Sequence, residues 1–145
     1  AYNNQDYKTA TNLFTKTCDD GVITACYNLG QLYRLGKGVI QDYKKANNFY
    51  TKACDGGYMD SCFNLGNAYA DGRGIKQDYK KANNLYAKAC DSGNIESCFN
   101  LGLIYANGQG VRQNRRTAKE LFGKTCDAGY RHGCENYKIL NEAGY

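Results

Sequence analysis

The stretch that decides the fold lies at residues 42–74 and reads DYKKANNFYTKACDGGYMDSCFNLGNAYADGRG. It returns 36 residues later, at 78–110, as DYKKANNLYAKACDSGNIESCFNLGLIYANGQG. Looser copies precede and follow these two, so the 145 residues contain four similar units. Self-similarity with a period of about 20 to 50 residues is typical of a solenoid, in which each unit buries its apolar face against its neighbours.

Each unit contains two helical patterns. The apolar positions of the first pattern fall on one stripe of a helix, at Ala46, Phe49, Tyr50, Ala53 and Cys54. The second pattern has the same spacing, at Cys62, Leu65, Gly66 and Tyr69. Helix N-caps are expected at Asp42, Asp78 and Asn114. Left-handed helix ends are expected at Gly21, Gly57, Gly93 and Gly129, and Gly-x-Gly turns end the second helices.

These patterns predict an all-α fold, a solenoid of four helical hairpins in one repeat domain over residues 1–145. The repeat units are expected at approximately 6–37, 42–73, 78–109 and 114–145. Gly30, Gly66 and Gly102 interrupt helical stripes, where glycine costs about 1 kcal/mol relative to alanine. We expect the backbone of a neighbouring helix to approach closely at these positions.

Three motifs carry a resemblance to a known family: Leu-Gly-x-x-Tyr on one helix, Lys-Ala on the other, and the Gly-x-Gly-[Val/Ile] turn. Together they resemble Sel1-like repeats, which are relatives of tetratricopeptide repeats. The paired cysteines resemble those of the Helicobacter cysteine-rich protein family, which are exported bacterial proteins built from disulfide-linked repeats. The resemblance implies a right-handed alpha-alpha superhelix whose concave face binds a protein or peptide. Some family members carry a penicillin-binding or weak β-lactamase label.

The eight cysteines form four pairs, and the members of each pair are eight residues apart. The expected disulfides are Cys18–Cys26, Cys54–Cys62, Cys90–Cys98 and Cys126–Cys134. The short turn between the two helices folds one cysteine back toward the other, within the roughly 7 Å between Cα atoms that a bridge requires. Zinc sites generally use closer cysteine spacing, and no Cys-x-x-Cys redox motif occurs. We therefore expect structural disulfides and no metal.

The composition bears on location and partners. Disulfides predict an oxidising compartment, so we expect a secreted or periplasmic bacterial protein, here in its mature form with the targeting segment removed. No apolar stretch approaches the roughly 18 residues of a membrane span. The net charge of +5 is scattered, with no run of like charges typical of a nucleic-acid-binding arm. We expect a monomer with no cofactor and no nucleic-acid partner.

The residues indicate no catalytic mechanism. A serine β-lactamase requires an activated serine, typically in Ser-x-x-Lys. The three serines, Ser61, Ser92 and Ser97, all lie outside such a motif. His132 is the only histidine and is expected on the surface. A β-lactam or peptidoglycan-like ligand, and the weak hydrolase activity that would accompany it, is therefore implied by the resemblance alone.

Another face of each second helix forms a candidate binding ladder. Its members in the first three units are Tyr27, Gln31, Arg34, Phe63, Asn67, Ala70, Phe99, Leu103 and Ala106, and in the fourth unit Glu135, Ile139 and Glu142. Aromatic anchors beside adaptable hydrogen-bonding groups suit recognition of an extended peptide. The alternative is that these aromatics only fill gaps between helices. The Asn47-Asn48 and Asn83-Asn84 pairs either link repeats or contact a ligand.

Overall fold

The computed structural model describes residues 3–145, which contain eight helices and no strand. The helices are α1 (Asn4–Asp19), α2 (Ile23–Leu35), α3 (Tyr43–Asp55), α4 (Met59–Asp71), α5 (Tyr79–Asp91), α6 (Ile95–Asn107), α7 (Arg115–Asp127) and α8 (Arg131–Glu142). They form four hairpins in chain order, α1–α2, α3–α4, α5–α6 and α7–α8. The prediction of four helical hairpins is confirmed.

The helix ends use the residues that the sequence indicates. The side chains of Asp42, Asp78 and Asn114 each accept a hydrogen bond from a backbone N–H in the first turn of the helix that follows. Glycines with positive φ end the first helix of every hairpin, at Gly21, Gly57, Gly93 and Gly129. Left-handed glycines also cap α2, α4 and α6, at Gly36, Gly72 and Gly108.

Each hairpin is cross-linked by its own disulfide. The four bonds join Cys18 to Cys26, Cys54 to Cys62, Cys90 to Cys98 and Cys126 to Cys134. The paired Cα atoms are 4.5 Å to 4.7 Å apart, and the residues that the structure describes include no free cysteine. Every bond joins the end of a first helix to the start of the second, as the sequence predicts.

The chain divides into two compact units, which we call the N-terminal half (Ala1–Gln77) and the C-terminal half (Asp78–Tyr145). In the N-terminal half, α2 packs against both α1 and α3, and α3 packs against α4. In the C-terminal half, α6 packs against α5 and α7, and α7 packs against α8. The core of each half is therefore built from successive helices and contains mostly alanines, cysteines and leucines, with one or two large aromatic rings.

Glycine within α2 and α6 makes room for an aromatic ring. A Cβ atom added to Gly30 would lie 2.7 Å from a ring carbon of Tyr50 in α3. A Cβ atom added to Gly102 would likewise lie 2.7 Å from a ring carbon of Phe122 in α7. Neither position has room for a side chain, as expected. The neighbouring group is an aromatic ring rather than the backbone alone. The backbone does come close at Gly30, where the carbonyl oxygen of Ala46 is 3.3 Å from the added atom.

In the second, third and fourth hairpins a recurring hydrogen bond joins the start of the first helix to the end of the hairpin. In α3 the amide of Asn47 donates to the backbone oxygen of Arg73, at 2.7 Å. In α5 the amide of Asn83 donates to the backbone oxygen of Gln109, at 3.0 Å. In the fourth hairpin the ammonium group of Lys119 donates to the backbone oxygen of Tyr145. We call this contact the turn clasp.

The clasp answers the question that the paired asparagines raise. Asn47 and Asn83 are both 5% exposed, and each binds a turn within its own hairpin. Asn48 and Asn84 are exposed. The first asparagine of each pair therefore makes this bond within its own hairpin rather than to a neighbouring repeat.

Candidate binding surface

A cavity of about 160 Å³ opens between α2, α3 and α4 in the N-terminal half. Ten residues line it: Arg34, Tyr43, Ala46, Asn47, Tyr50, Asn64, Asn67, Ala68, Asp71 and Arg73. Helix α3 contributes most of the buried lining, because Ala46, Asn47 and Tyr50 are each at most 5% exposed. We call this the polar cavity, since most of its lining side chains carry hydrogen-bonding groups.

A hydrogen-bond network fixes one wall of the polar cavity. The hydroxyl of Tyr50 donates to Oε1 of Gln31, and Nε of Arg34 lies 3.2 Å from both that oxygen and the Tyr50 hydroxyl. The amide nitrogen of Gln31 donates to the Tyr27 hydroxyl at 3.2 Å. The amide of Asn64 in α4 also reaches Oε1 of Gln31, at 3.4 Å. Three predicted ladder residues, Tyr27, Gln31 and Arg34, therefore belong to one network.

The tyrosines of this network are shifted toward their neutral forms. Burial raises the pKa of Tyr50 above its ordinary value of 10.0, and the Arg34 guanidinium partly opposes this effect. Burial also raises the pKa of Tyr27, and the negative charge of Asp60 adds to it. Both hydroxyls therefore stay protonated at neutral pH and can keep donating hydrogen bonds.

The equivalent place in the C-terminal half is apolar. A cavity of about 160 Å³ between α6, α7 and α8 is lined by Leu103, Ala106, Phe122, Asn136, Ile139 and Leu140. These positions lie 72 residues, or two repeats, after their counterparts in the N-terminal half. Leu103 replaces Gln31, Ala106 replaces Arg34 and Phe122 replaces Tyr50. We call this the apolar cavity; the fold is the same at both places, but the chemistry differs.

The predicted ladder residues divide into two groups. Arg34 and Asn67 line the polar cavity, and Leu103, Ala106 and Ile139 line the apolar cavity. The others lie outside both linings. Tyr27, Phe63, Ala70 and Phe99 are half-buried, while Glu135 and Glu142 are exposed.

The aromatic ladder members pack between helices. The ring of Phe99 lies 5.5 Å from that of Phe122 and 5.0 Å from that of Tyr130, measured between ring centroids. The ring of Tyr27 lies 4.7 Å from that of Tyr58. For Tyr27 and Phe99 the gap-filling alternative therefore describes the observed contacts. The ladder residue Glu135 is not aromatic, and it accepts a hydrogen bond from Arg131 at 3.2 Å.

Sequence reasoning missed several lining residues. Tyr50 falls on the apolar stripe of α3 and was expected only in the core, although its hydroxyl reaches the polar cavity. Asp71 and Arg73 lie at the Gly-x-Gly turn, for which the sequence predicts only the end of a second helix. The available signal was the pairing of Gln31 with Arg34, because no other second helix has both residues at these positions.

A third opening lies beside the start of α7. It measures about 800 Å³ and is lined by Tyr105, Val111, Arg112, Gln113, Asn114, Arg115, Arg116 and Tyr145. A guanidinium nitrogen of Arg115 donates to the Tyr145 hydroxyl at 3.2 Å, and Lys119 binds the backbone oxygen of the same residue. Three arginines, Arg112, Arg115 and Arg116, therefore line one opening, although the sequence predicts charges scattered along the chain.

The described residues offer little for metal or serine chemistry. Within residues 3–145, no three side chains among histidine, cysteine, aspartate and glutamate come close enough together to hold a metal ion. No helix in the described part of the chain has both the length and the apolar character needed to cross a bilayer. Ser61 and Ser97 are fully buried, at 0% exposure.

Four disulfide-linked hairpins of paired helices, with the second helices presenting the cavities, define this protein as a helical repeat scaffold. The family model for the Sel1 repeat matches residues 23–58, 60–94 and 95–130, which together make up most of the chain. The protein belongs to the Sel1 repeat family. No curated protein matches the chain.

Solved structures agree with this fold. The chain is similar to c5321, a protective antigen of uropathogenic Escherichia coli strains with an SLR fold, with 26% identity and a TM-score of 0.91 over 96% of this chain and 30% of that protein. It is similar to Helicobacter pylori cysteine rich protein B, with 28% identity and a TM-score of 0.72 over 93% of this chain and 97% of that one.

A third similar structure is a Sel1 repeat protein from Oxalobacter formigenes, with 24% identity and a TM-score of 0.85 over 94% of this chain and 54% of that protein. The chain thus spans about a third of the E. coli protein and about half of the Oxalobacter protein. The predicted fold class, a solenoid of disulfide-linked helical hairpins, and the predicted family are both confirmed.

Proposed function

We propose that this protein is an exported, monomeric scaffold that binds an extended segment of another protein along the concave face of its repeats. The observation that carries the proposal is the pair of equivalent cavities at the second helices. Ladder residues that the sequence singled out line both of them, Arg34 and Asn67 in one and Leu103 and Ala106 in the other. Preformed concave sites of this kind are where proteins generally bind ligands.

The two cavities suit side chains of different kinds. The polar cavity presents guanidinium, amide and hydroxyl groups, so it favours a polar or charged side chain. The apolar cavity presents Leu103, Ile139 and Leu140 beside a single amide from Asn136, so it favours an aliphatic or aromatic side chain. Each cavity can be tested within its own half of the chain. Selectivity would come from polar groups whose hydrogen bonds only a matching side chain completes.

The proposed compartment follows from the disulfides. Four cross-links within a small helical protein are stable outside the reducing cytosol. The paired cysteines also resemble those of the exported Helicobacter cysteine-rich proteins, and this resemblance implies a secreted or periplasmic location. Measuring free thiols after expression in the periplasm and in the cytosol tests this point. We expect no reactive thiol in the periplasmic protein, and reactive thiols there would contradict it.

Binding can be tested with a phage-displayed library of random peptides selected on the oxidised protein. Enriched peptides are then synthesised, and their affinity for each variant is measured by fluorescence polarisation. We expect Arg34→Ala and Leu103→Asp to weaken binding by about tenfold or more, since each removes or reverses the chemistry of one cavity. The exposed Lys44 and Lys80 provide matched controls, because alanine at either position leaves both cavities intact.

Two results would contradict the proposal. One is a selection that enriches no peptide sequence. The other is a set of peptides whose affinity is the same for wild type, both cavity variants and both lysine controls. Circular dichroism of every variant shows whether the helices are retained, so that loss of binding is not confused with loss of fold.

No observation favours the hydrolase alternative that the family resemblance implies. An acyl-transfer nucleophile must reach its substrate, whereas the hydroxyls of Ser61 and Ser97 are buried. The remaining serine, Ser92, caps the end of α5 and is exposed. The binding scaffold is therefore the function that the geometry supports best.

A further inference from the structure

In the polar cavity, Arg34 is hydrogen-bonded through its Nε to two neighbouring side chains. Its Nε lies 3.2 Å from the Tyr50 hydroxyl and 3.2 Å from Oε1 of Gln31. Tyr50 is only 1% exposed, so its hydroxyl is a rigid point of attachment. Because the guanidinium group is planar, the two contacts to Nε fix the orientation of the whole group.

The two terminal nitrogens of Arg34 remain available to a ligand. Within residues 3–145 neither of them has a hydrogen-bond partner, although Arg34 is half-buried and lines the cavity. A guanidinium group presents its donors in a fork that matches the two oxygens of a carboxylate. A half-buried fork with a fixed plane loses little conformational entropy when such a ligand binds.

The other charges of the cavity leave it with a positive balance. Asp71 and Arg73 both line it, and their charged groups are 3.8 Å apart. This pair is more than half exposed and nearly neutral as a unit. Arg34 then remains as the one charge among the lining residues without a charged partner.

The repeat pattern separates this role from ordinary packing. Ala70, Ala106 and Glu142 occupy the position of Arg34 in the other hairpins. Where Ala106 replaces Arg34, Leu103 and Phe122 also replace Gln31 and Tyr50, so the whole anchoring group changes. Packing of the hairpins therefore does not require an arginine at this position.

We propose that the polar cavity is a carboxylate-binding site, in which the terminal nitrogens of Arg34 bind the side chain of an aspartate or glutamate. The inference rests on the proposed peptide-binding function and adds the class of residue recognised. Gln31 and Tyr50 act as positioning residues, because they hold Nε and leave the fork facing the cavity.

The test uses two blocked tripeptides, acetyl-Gly-Glu-Gly-amide and acetyl-Gly-Gln-Gly-amide, which differ in a single carboxylate. Each is titrated into the oxidised, ¹⁵N-labelled protein while the backbone amide resonances of Asn47 and Asn67, which line the polar cavity in every variant, are followed by NMR. We expect a saturable shift with the glutamate peptide and none with the glutamine peptide. The variant R34Q should abolish the response, and R34K should weaken it by about tenfold, since an ammonium group keeps the charge but lacks the fork.

Two further variants separate recognition from structure. Y50F retains the ring that fills the space over Gly30 but removes the hydroxyl, so we expect folding to persist while glutamate affinity falls. R112Q removes an exposed arginine outside the polar cavity and should leave the titration unchanged. Because R34Q removes only the charge and fork of a side chain, its circular dichroism should match that of wild type.

The possible results distinguish this inference from the function on which it rests. Equal shifts with both tripeptides, no shift with either, or a glutamate response that survives R34Q would overturn the carboxylate site. If library peptides still bind wild type after every acidic residue in them is replaced by its amide, the binding scaffold stands and this inference fails. If no library peptide binds at all, the proposed function itself fails.

Discussion

Gly133 lies in the first turn of α8, directly against the side chain of Thr125 in α7. A Cβ atom added to Gly133 would be 1.8 Å from Oγ1 of Thr125 and 3.0 Å from the backbone oxygen of Phe122. The other hairpins also combine a larger residue with a smaller one at these two positions. The pairs are Thr17 with Ala25, Ala53 with Ser61, Ala89 with Ser97, and Thr125 with Gly133. The first hairpin can hold threonine with alanine because the Thr17 hydroxyl donates to the backbone oxygen of Leu13, one turn back, whereas the Thr125 hydroxyl donates to that of Phe122 and lies over Gly133. The two positions therefore share one limited space between the helices of a hairpin.

The effect of Gly133→Ala should depend on its partner. In wild type the added methyl group overlaps Thr125, and overpacking of this kind costs about 1–3 kcal/mol. In a Thr125→Ala background the overlap disappears, and alanine instead gains up to about 1 kcal/mol over glycine in a helix. The same substitution is thus destabilising in one background and neutral or stabilising in the other. We expect a coupling free energy of about 2 kcal/mol or more between the two positions.

Urea unfolding followed by far-UV circular dichroism, with disulfides intact, measures the free energy of unfolding of wild type, both single variants and the double variant. The reciprocal experiment uses the second hairpin, where Ala53→Thr should be destabilising alone and tolerated together with Ser61→Gly. If the two single changes at Thr125 and Gly133 add to within about 0.5 kcal/mol, the shared-space argument is wrong.

Four further predictions address other features. Ser61→Ala should raise the free energy of unfolding by about 1 kcal/mol in urea unfolding, because the buried hydroxyl has no hydrogen-bond partner in the structure; a loss of stability would show that it has one. Asn47→Ala should lower the same quantity by about 1–2 kcal/mol by breaking the turn clasp to Arg73, and an unchanged midpoint would contradict this. Stability should be constant up to about pH 10 and fall above it, since the folded state holds the protons of Tyr27 and Tyr50 more tightly than the unfolded chain; thermal unfolding from pH 8 to 11 tests the sign, and a rise with pH would refute it. Removing one disulfide by paired Cys→Ala changes should cost about 2.5 kcal/mol for a nine-residue loop, and a cost near zero in urea unfolding would argue against the chain-entropy reasoning.

The sequence predicts the fold well because its signals are local and repeated. Caps such as Asp42, the glycine after each first cysteine and the eight-residue cysteine spacing each act within one hairpin. A local signal that occurs several times can be interpreted without knowing distant contacts. The identity of a contact between hairpins is harder to predict. The sequence shows that Gly30 needs space, but only the structure shows that the ring of Tyr50 occupies it.

The candidate site could be predicted only in part for a related reason. Helical spacing places Arg34 and Asn67 on one surface, and the structure puts both at the polar cavity. Spacing does not show where a side chain ends. Tyr50 belongs to the apolar stripe by position, yet its terminal hydroxyl joins the polar network. Phe99 lies on the predicted ladder, yet its ring packs against Phe122 and Tyr130.

Cross-links confined to single hairpins affect how the chain matures and how it can change length. Eight cysteines allow 105 pairings, but here each cysteine is bonded to a partner eight residues away, so each pair can oxidise as soon as its own hairpin meets an oxidising environment. A gene duplication or deletion of 36 codons would add or remove one complete cysteine pair and leave the remaining pairs unaltered. Arrays of different lengths can therefore arise by recombination without any new solution to disulfide formation.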